Sequence, residues 1–387
     1  MNFDFTKEEK ELLEEVITFI KKESTPEMLK ETDDMGDIYG GPEGRKIIQK
    51  MAAKGWLTPT WPKEYGGIDA SEVVSYMIRE EMGYQGLPFG FIAAHMAGPT
   101  ILRFGSDEMK KKWLPPIARG EYEFALGYTE PQAGSDLSAL MMKVEDKGDH
   151  LLLNGNKIFN TSCHLADYHW LAARTNPEGP RHKGVSMMIV DLKTPGITIS
   201  PMITMAGWQT NEVVYEDVKV PKENVVGEVN KGFYYLMAAL DFERMFPLGR
   251  YRRLFDNLID YTKETIVNGK PLSKDPIIRQ KMAQLATEIE VTRLLYYQLA
   301  DILDRGGIPN YQSSMEKTFA TETAQRITNI GMDILGLYGQ LNEGSKWAKL
   351  AGKMERSYRT SIVETIYAGT SEIQRNIIAQ RGLGLPR

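Results

Sequence analysis

A chain of 387 residues, 42% hydrophobic and 26% charged, can bury a large core and should divide into two or three domains. Its net charge of −5 argues against the basic face of a nucleic-acid or anionic-membrane binder, though not against a local basic pocket for a phosphorylated ligand. The charged opening, residues 1–10, lacks the apolar segment of a signal peptide, and no apolar run approaches the ~18 residues of a membrane span. The single cysteine, Cys163, permits no intrachain disulfide and suits a reducing, cytoplasmic setting. The five histidines show no zinc-ligand spacing, so no metal site is expected, and His164 with His169 reads as a loop pair.

The first third reads as helical. Over residues 7–22, Leu12, Leu13, Val16, Ile17 and Ile20 share one stripe, with Thr6 as N-cap and Glu9 completing a capping box. Pro26 is expected to end that pattern, before a loop containing Gly36, Gly40, Gly41, Pro42 and Gly44. Helical periodicity returns near 44–54, 70–84, 89–104 and 107–119. From Glu123 to about Val229 short apolar runs alternate with turn signals. Asn154-Gly155 between apolar segments predicts a hairpin, and strands are expected over 185–192, 197–200 and 213–220, the last ended by Pro221. Long helices follow Gly232 as far as Arg381, broken near 268–271 and 305–309. The expectation is an α+β chain: an all-helical domain over 1–123, an antiparallel β domain over 124–230 and a helical bundle over 231–387.

No GxGxxG or GxxxxGK[ST] phosphate loop occurs, so a nucleotide cofactor would have to be held in another way. The segment Leu126-Gly127-Tyr128-Thr129-Glu130-Pro131-Gln132-Ala133-Gly134-Ser135-Asp136 offers glycines and hydroxyls that let backbone approach a heteroaromatic edge. On pattern alone it is a decorated turn. Together with Lys157-Ile158-Phe159-Asn160-Thr161-Ser162 and Ile366-Tyr367-Ala368-Gly369-Thr370-Ser371-Glu372-Ile373-Gln374-Arg375, however, it resembles the acyl-CoA dehydrogenase family, in order along the whole chain.

The resemblance implies FAD as cofactor. It assigns Leu126, Tyr128, Thr129, Phe159 and Thr161 to the isoalloxazine ring, with Gly134, Ser135, Gly336, Thr370 and Glu372 elsewhere along the cofactor. Ser135, Asp241, Arg244, Ala368 and Gly369 are assigned to the thioester ligand. On spacing alone Asp241 and Arg244 are an i,i+3 surface pair, and Phe159 is a strand aromatic. Most members carry a glutamate where this chain has Ala368. Glu243, one residue before Arg244, occupies the position from which the isovaleryl-CoA and long-chain types supply their base. A carboxylate in an apolar cavity is suited to removing a proton next to a carbonyl. The implied reaction is α,β-dehydrogenation of an acyl-CoA to a 2-enoyl-CoA, Glu243 taking the α-proton and flavin N5 the β-hydride, with electrons passing to electron-transferring flavoprotein.

Two features depart from the family pattern. Thr265-Ile266-Val267-Asn268-Gly269 lacks the arginine that reaches a neighbouring subunit's FAD, and Asp333 stands where the family usually has glutamine, although Gly336 and Gly339 remain. A homotetramer is expected, with a heterotetramer formed with a paralogue as the alternative. The base position suggests a branched, alicyclic or aromatic acyl group, though long straight chains also occur with it. Phe89, Phe91, Ile92, His95 and Met96 are candidate pocket residues, or ordinary core. Competing readings are a non-catalytic or half-site subunit and a flavin-dependent acyl-CoA oxidase or lyase.

Overall fold

The N-terminal helices begin where side chains can cap them. In the computed structural model, which describes residues 4–35, 40–243 and 246–386 without the side chains of 238 and 241–243, α1 (Lys7–Glu23) opens on the expected capping box. The Thr6 hydroxyl accepts from Glu9 N at 3.2 Å, and Glu9 Oε2 accepts from Thr6 N at 2.7 Å. Pro26 starts a helix instead of only ending one. It is the first residue of α2 (Pro26–Asp34), where its missing N–H would have had no partner. Residues 36–39 of the expected loop lie outside the described residues. α3 (Pro42–Ala52), α4 (Glu72–Gln85), α5 (Gly98–Phe104) and α6 (Asp107–Ala118) follow. The helix expected from residue 89 begins late, as a π turn over Ala93–Ala97 that runs into α5.

The middle of the chain forms one sheet of β1 (Phe124–Gly127), β2 (Lys143–Asp146), β3 (His150–Lys157), β4 (Tyr168–Arg174), β5 (Val185–Asp191), β6 (Ile197–Ile203), β7 (Gln209–Pro221) and β8 (Val225–Val226). Its order is β6-β7-β3-β2-β4-β5-β8, antiparallel except where β2 meets β4 and where β1 joins β4 in parallel.

Asn154-Gly155 is not a hairpin turn, because β3 runs straight through it. The turn lies earlier, where Lys147 N donates to His150 O at 2.9 Å and Gly148 takes φ 93°. Asn154 instead clasps a bulge in β7. Its Nδ2 donates to Asp217 Oδ1 at 3.0 Å, and its Oδ1 accepts from Asp217 N at 2.9 Å. Gly155 lies against β2, where a Cβ would meet Met142 Cγ at 2.9 Å. Competition from these long-range contacts overrides the local turn preference.

The C-terminal part comprises α7 (Gly232–Glu243), α8 (Gly249–Glu264), the short strands β9 (Ile266–Val267) and β10 (Lys270–Pro271), α9 (Pro276–Asp304), α10 (Tyr311–Leu335), α11 (Lys353–Glu364) and α12 (Ser371–Ile377). Here Asn268-Gly269 does form a tight hairpin, with φ 51° and 75°. Leu258, Leu285, Ile289, Ala320, Ala324, Ile327 and Met354 make the helical core, each large side chain contributing about 1.5–3 kcal/mol by burial. Glu80 of α4 ties this bundle to the N-terminal helices through Arg252 (2.6 Å), Arg293 (3.1 Å) and Tyr297 (2.8 Å). Among the described residues, no helix is long and apolar enough to cross a membrane.

Candidate active site

Two of the sequence segments singled out for the flavin meet at the end of β1. Ile158 N donates to Thr129 O at 2.9 Å, which brings Leu126, Tyr128 and Thr129 beside Phe159 and Thr161. The join is held from below by a buried ion pair that sequence reasoning did not single out. Lys157, with none of its side chain exposed, donates to Glu130 Oε1 at 2.7 Å and to Tyr128 O at 3.1 Å. Burial lowers the Lys157 ammonium to about 8, against the opposing pull of Glu130. Glu130 also accepts from Met141 N, Met142 N and Gln132 Nε2, so its oxygens are well supplied with donors.

Residues 158–163 then turn sharply. Phe159 and Ser162 take left-handed φ of 60° and 59°, and Asn211 of β7 brackets Asn160 by accepting from its N–H and donating to its carbonyl, at 2.9 and 2.8 Å. The Phe159 ring is left 61% exposed instead of packing in a strand core. The Thr161 hydroxyl pairs with that of Thr210 at 3.3 Å. Gly134 and Ser135 are exposed, and a Cβ at Gly134 would meet nothing within 4 Å. His169, expected in a loop, is buried in β4 instead. Its Nδ1 bonds the Tyr215 hydroxyl, and burial lowers its imidazole to about 3.

The C-terminal motif is a strained, pinned loop. Ala368 and Gly369 have φ of 53° and 89°, a region costly for alanine. Two side chains hold their carbonyls: Gln374 Nε2 donates to Ala368 O (2.9 Å) and Gly369 O (3.1 Å), and Lys317 Nζ donates to Gly369 O (3.0 Å) and Glu364 O (2.9 Å). With the carbonyls drawn toward α10 and α12, backbone at Ala368 is fixed in one orientation. Lys317 is fully buried on α10, and a lysine within an otherwise inward-facing run was the only sequence signal for it. Thr370 caps α12 by accepting from Ile373 N, and the adjacent Ser371 hydroxyl is buried without a partner among the described residues. Glu372 is exposed at the helix start, where backbone and Thr370 bonds keep its carboxyl below the usual range.

The expected thioester and base residues are placed less fully. Backbone of Asp241 and Glu243 ends α7, but their side chains, and Arg244 entirely, lie outside the described residues. Gly336 terminates α10 at φ 56°, distant in sequence from the β-domain turn. Asp333 is bridged by Lys281 at 2.9 Å, which offsets the charge that a pyrophosphate would meet. Phe89, Phe91, Ile92 and Met96 are buried in the N-terminal core, and His95 lines a neighbouring cavity.

These features define a helical–β–helical framework, and comparison with known proteins specifies it. Family models match throughout: acyl-CoA dehydrogenase N-terminal domain over residues 6–121, middle domain over 125–218 and C-terminal domain over 230–383. The chain therefore belongs to the acyl-CoA dehydrogenase family and is an oxidoreductase of that type. It is 34% identical to acyl-CoA dehydrogenase FadE26 of Mycobacterium tuberculosis, covering 100% of this chain and 99% of that protein. Among solved structures, the Tcur3481-Tcur3483 steroid ACAD superposes with a TM-score of 0.92, and a chain of the ChsE4-ChsE5 complex from Mycobacterium tuberculosis with 0.91. Each is 34% identical, with full coverage of both chains.

Proposed function

We propose that the chain dehydrogenates an acyl-CoA thioester with bound FAD, Glu243 being the base. The observation that carries this reading is the convergence of Tyr128–Thr129 with Phe159–Thr161, held by the Lys157–Glu130 pair. The residues suit a flavin. Phe159 offers an uncovered aromatic face, the open backbone at Gly134 leaves room for close approach, and the Ser371 hydroxyl lacks a partner among the described residues. When bound, FAD supplies the acceptor for the β-hydride, and electron-transferring flavoprotein is the expected onward acceptor.

The protein's own part is proton removal and charge stabilisation. Ala368 N–H, in its pinned left-handed loop, donates to the thioester carbonyl, which acidifies the α C–H. An N–H survives replacement of glutamate by alanine, so this donor does not depend on the missing carboxylate. Glu243 removes the α-proton, Asp241 and Arg244 hold the CoA portion, and Ser135 reaches the pantetheine or phosphates. A bulky acyl group, branched or alicyclic, fits the base position, and the steroid-acting relative supports it.

Anaerobic flavin bleaching by a panel of straight, branched and cyclic acyl-CoAs tests the reading. Wild type should bleach with at least one, and Glu243→Gln should retain FAD yet react ~10³-fold slower. Equal rates in the two proteins would remove Glu243 from the mechanism.

A second reading, a subunit that shares its FAD sites with a paralogue, is favoured by the absence of a cation at Thr265 and by solved relatives that are two-protein complexes. A chain that takes up no FAD alone but does so with a paralogue would establish it.

A further inference from the structure

Between α4, residues 57–61 and the 93–103 segment lies a cavity of about 320 Å³. Among the described residues assigned above to thioester, flavin or acyl group, only His95 lines it. One side is apolar, formed by Leu57, Trp61, Pro99 and Leu102, and the other carries charge. Arg79 and Arg103 both face the cavity, and among the described residues neither guanidinium has an ion-pair partner. Arg79 Nε is buried with no acceptor among the described residues. Thr58 and Tyr76, 2% and 1% exposed, line the same space, and neither hydroxyl has a partner among the described residues.

Polar atoms buried unpaired are costly, and a ligand that pairs several of them at once recovers that cost. The sign of the ligand's charge follows from the other groups present. Burial keeps His95 neutral by pushing its imidazole well below the usual range. Glu72, bonded to Thr60, is the one carboxylate among the described residues lining the cavity, and burial with repulsion from Asp304 raises it to about 7 against the pull of Arg79. Near neutrality it offsets only part of the two guanidinium charges.

We infer that this cavity binds a carboxylate carrying a small hydrocarbon body. The Arg79 guanidinium takes the carboxylate, the Thr58 and Tyr76 hydroxyls donate to it, and the apolar wall covers the remainder. A guanidinium fork matches a planar carboxylate, and the apolar wall disfavours a fully hydrated inorganic anion. The carboxylate has two possible sources, a free small acid or the distal carboxylate of an acyl group held at the thioester site.

Isothermal calorimetry of the FAD-supplemented full chain tests the site with sodium cyclohexanecarboxylate, its neutral carboxamide and inorganic phosphate. The carboxylate should bind at least about tenfold more tightly than either comparator, and Arg79→Met should lose about tenfold or more. Thr58→Val with Tyr76→Phe, which keeps the guanidinium, guards against misfolding of the arginine variant and should bind several-fold more weakly. As pH rises from about 6 to about 8, affinity should fall, because Glu72 becomes a competing carboxylate beside Arg79, Arg103, Asp304, Tyr76 and His95. No heat at tens of millimolar, equal binding of the carboxamide, or unchanged binding in both variants would overturn the inference. Anaerobic bleaching by adipyl-CoA against hexanoyl-CoA separates the sources. An Arg79→Met variant that loses the preference for adipyl-CoA assigns the substrate's own carboxylate, and an unchanged ratio with calorimetric binding intact assigns a free acid. Failure of both thioesters to bleach the flavin bears only on the proposed function, since the calorimetry does not depend on it.

Discussion

Lys157 and Glu130 hold the junction of Thr129 with Ile158, and neither was among the residues assigned to the flavin from sequence. Lys157→Met strands the Glu130 carboxylate in the interior, with Met141 N, Met142 N and Gln132 as its remaining donors. Urea unfolding should register a loss of about 3–5 kcal/mol, and purified protein should carry less FAD. Glu123 has a simpler titration. Burial raises its carboxyl from 4.5 to about 7, although Ala93 N and Phe124 N donate to it. The folded chain thus holds this proton more tightly than the unfolded chain. The associated stability is complete below about pH 4.5 and is lost as pH rises through about 7. Glu123→Gln keeps the acceptor and abolishes the ionisation. It should therefore raise stability at pH 8 by at most about 3 kcal/mol, with a much smaller change at pH 5, as thermal melts at the two pH values would show.

At the scale of elements, the same dipeptide had two outcomes. Asn268-Gly269 joins two short strands with no competing partner, so local preference decides and the hairpin forms. Asn154-Gly155 meets a β7 bulge and the Met142 side chain, neither visible within a local window. The capping box of α1, the helix–β–helix order and the breaks near 268 and 305 were legible because each is written within a few residues. The π turn at Ala93–Ala97, the buried His169 and the role of Lys317 were not, because each depends on a partner far along the chain. Glycine substitutions expose the distinction. Gly269→Ala faces open space but sits at φ 75°, so it should cost about 1 kcal/mol in a denaturant melt. Gly134→Ala meets nothing within 4 Å and needs no positive φ. Its stability should stay within about 0.5 kcal/mol of wild type while FAD is held more weakly, measured by flavin retention through gel filtration.

For the whole molecule, the uncovered apolar surface is the informative quantity. Leu337 is 84% exposed, Tyr338 and Ile366 are also exposed, and Trp347 and Met205 add to the total. Leu337 and Tyr338 follow the Asp333–Gly336 stretch, and Ile366 precedes the Ala368 loop, so apolar surface adjoins segments assigned to cofactor and substrate. Such surface is characteristic of chains that are completed by association. Leu337→Glu should lower the sedimentation coefficient relative to wild type, and an unchanged value would place the subunit contact elsewhere.

The β7 bulge reaches further than its size suggests. Before it Val213 and Tyr215 are buried at odd positions, and after it Val218 and Val220 are buried at even ones, with Glu216 and Asp217 both outward. One surplus residue therefore reconciles two opposite alternations in a single strand. Deleting Asp217 would leave the composition of every strand almost untouched. It would nonetheless rotate the 209–215 half by one face relative to β3. Tyr215 would turn away from His169, and Asn211 from the backbone of Asn160 beside Phe159. Length, at this one position, is as strict a requirement as the identity of any side chain.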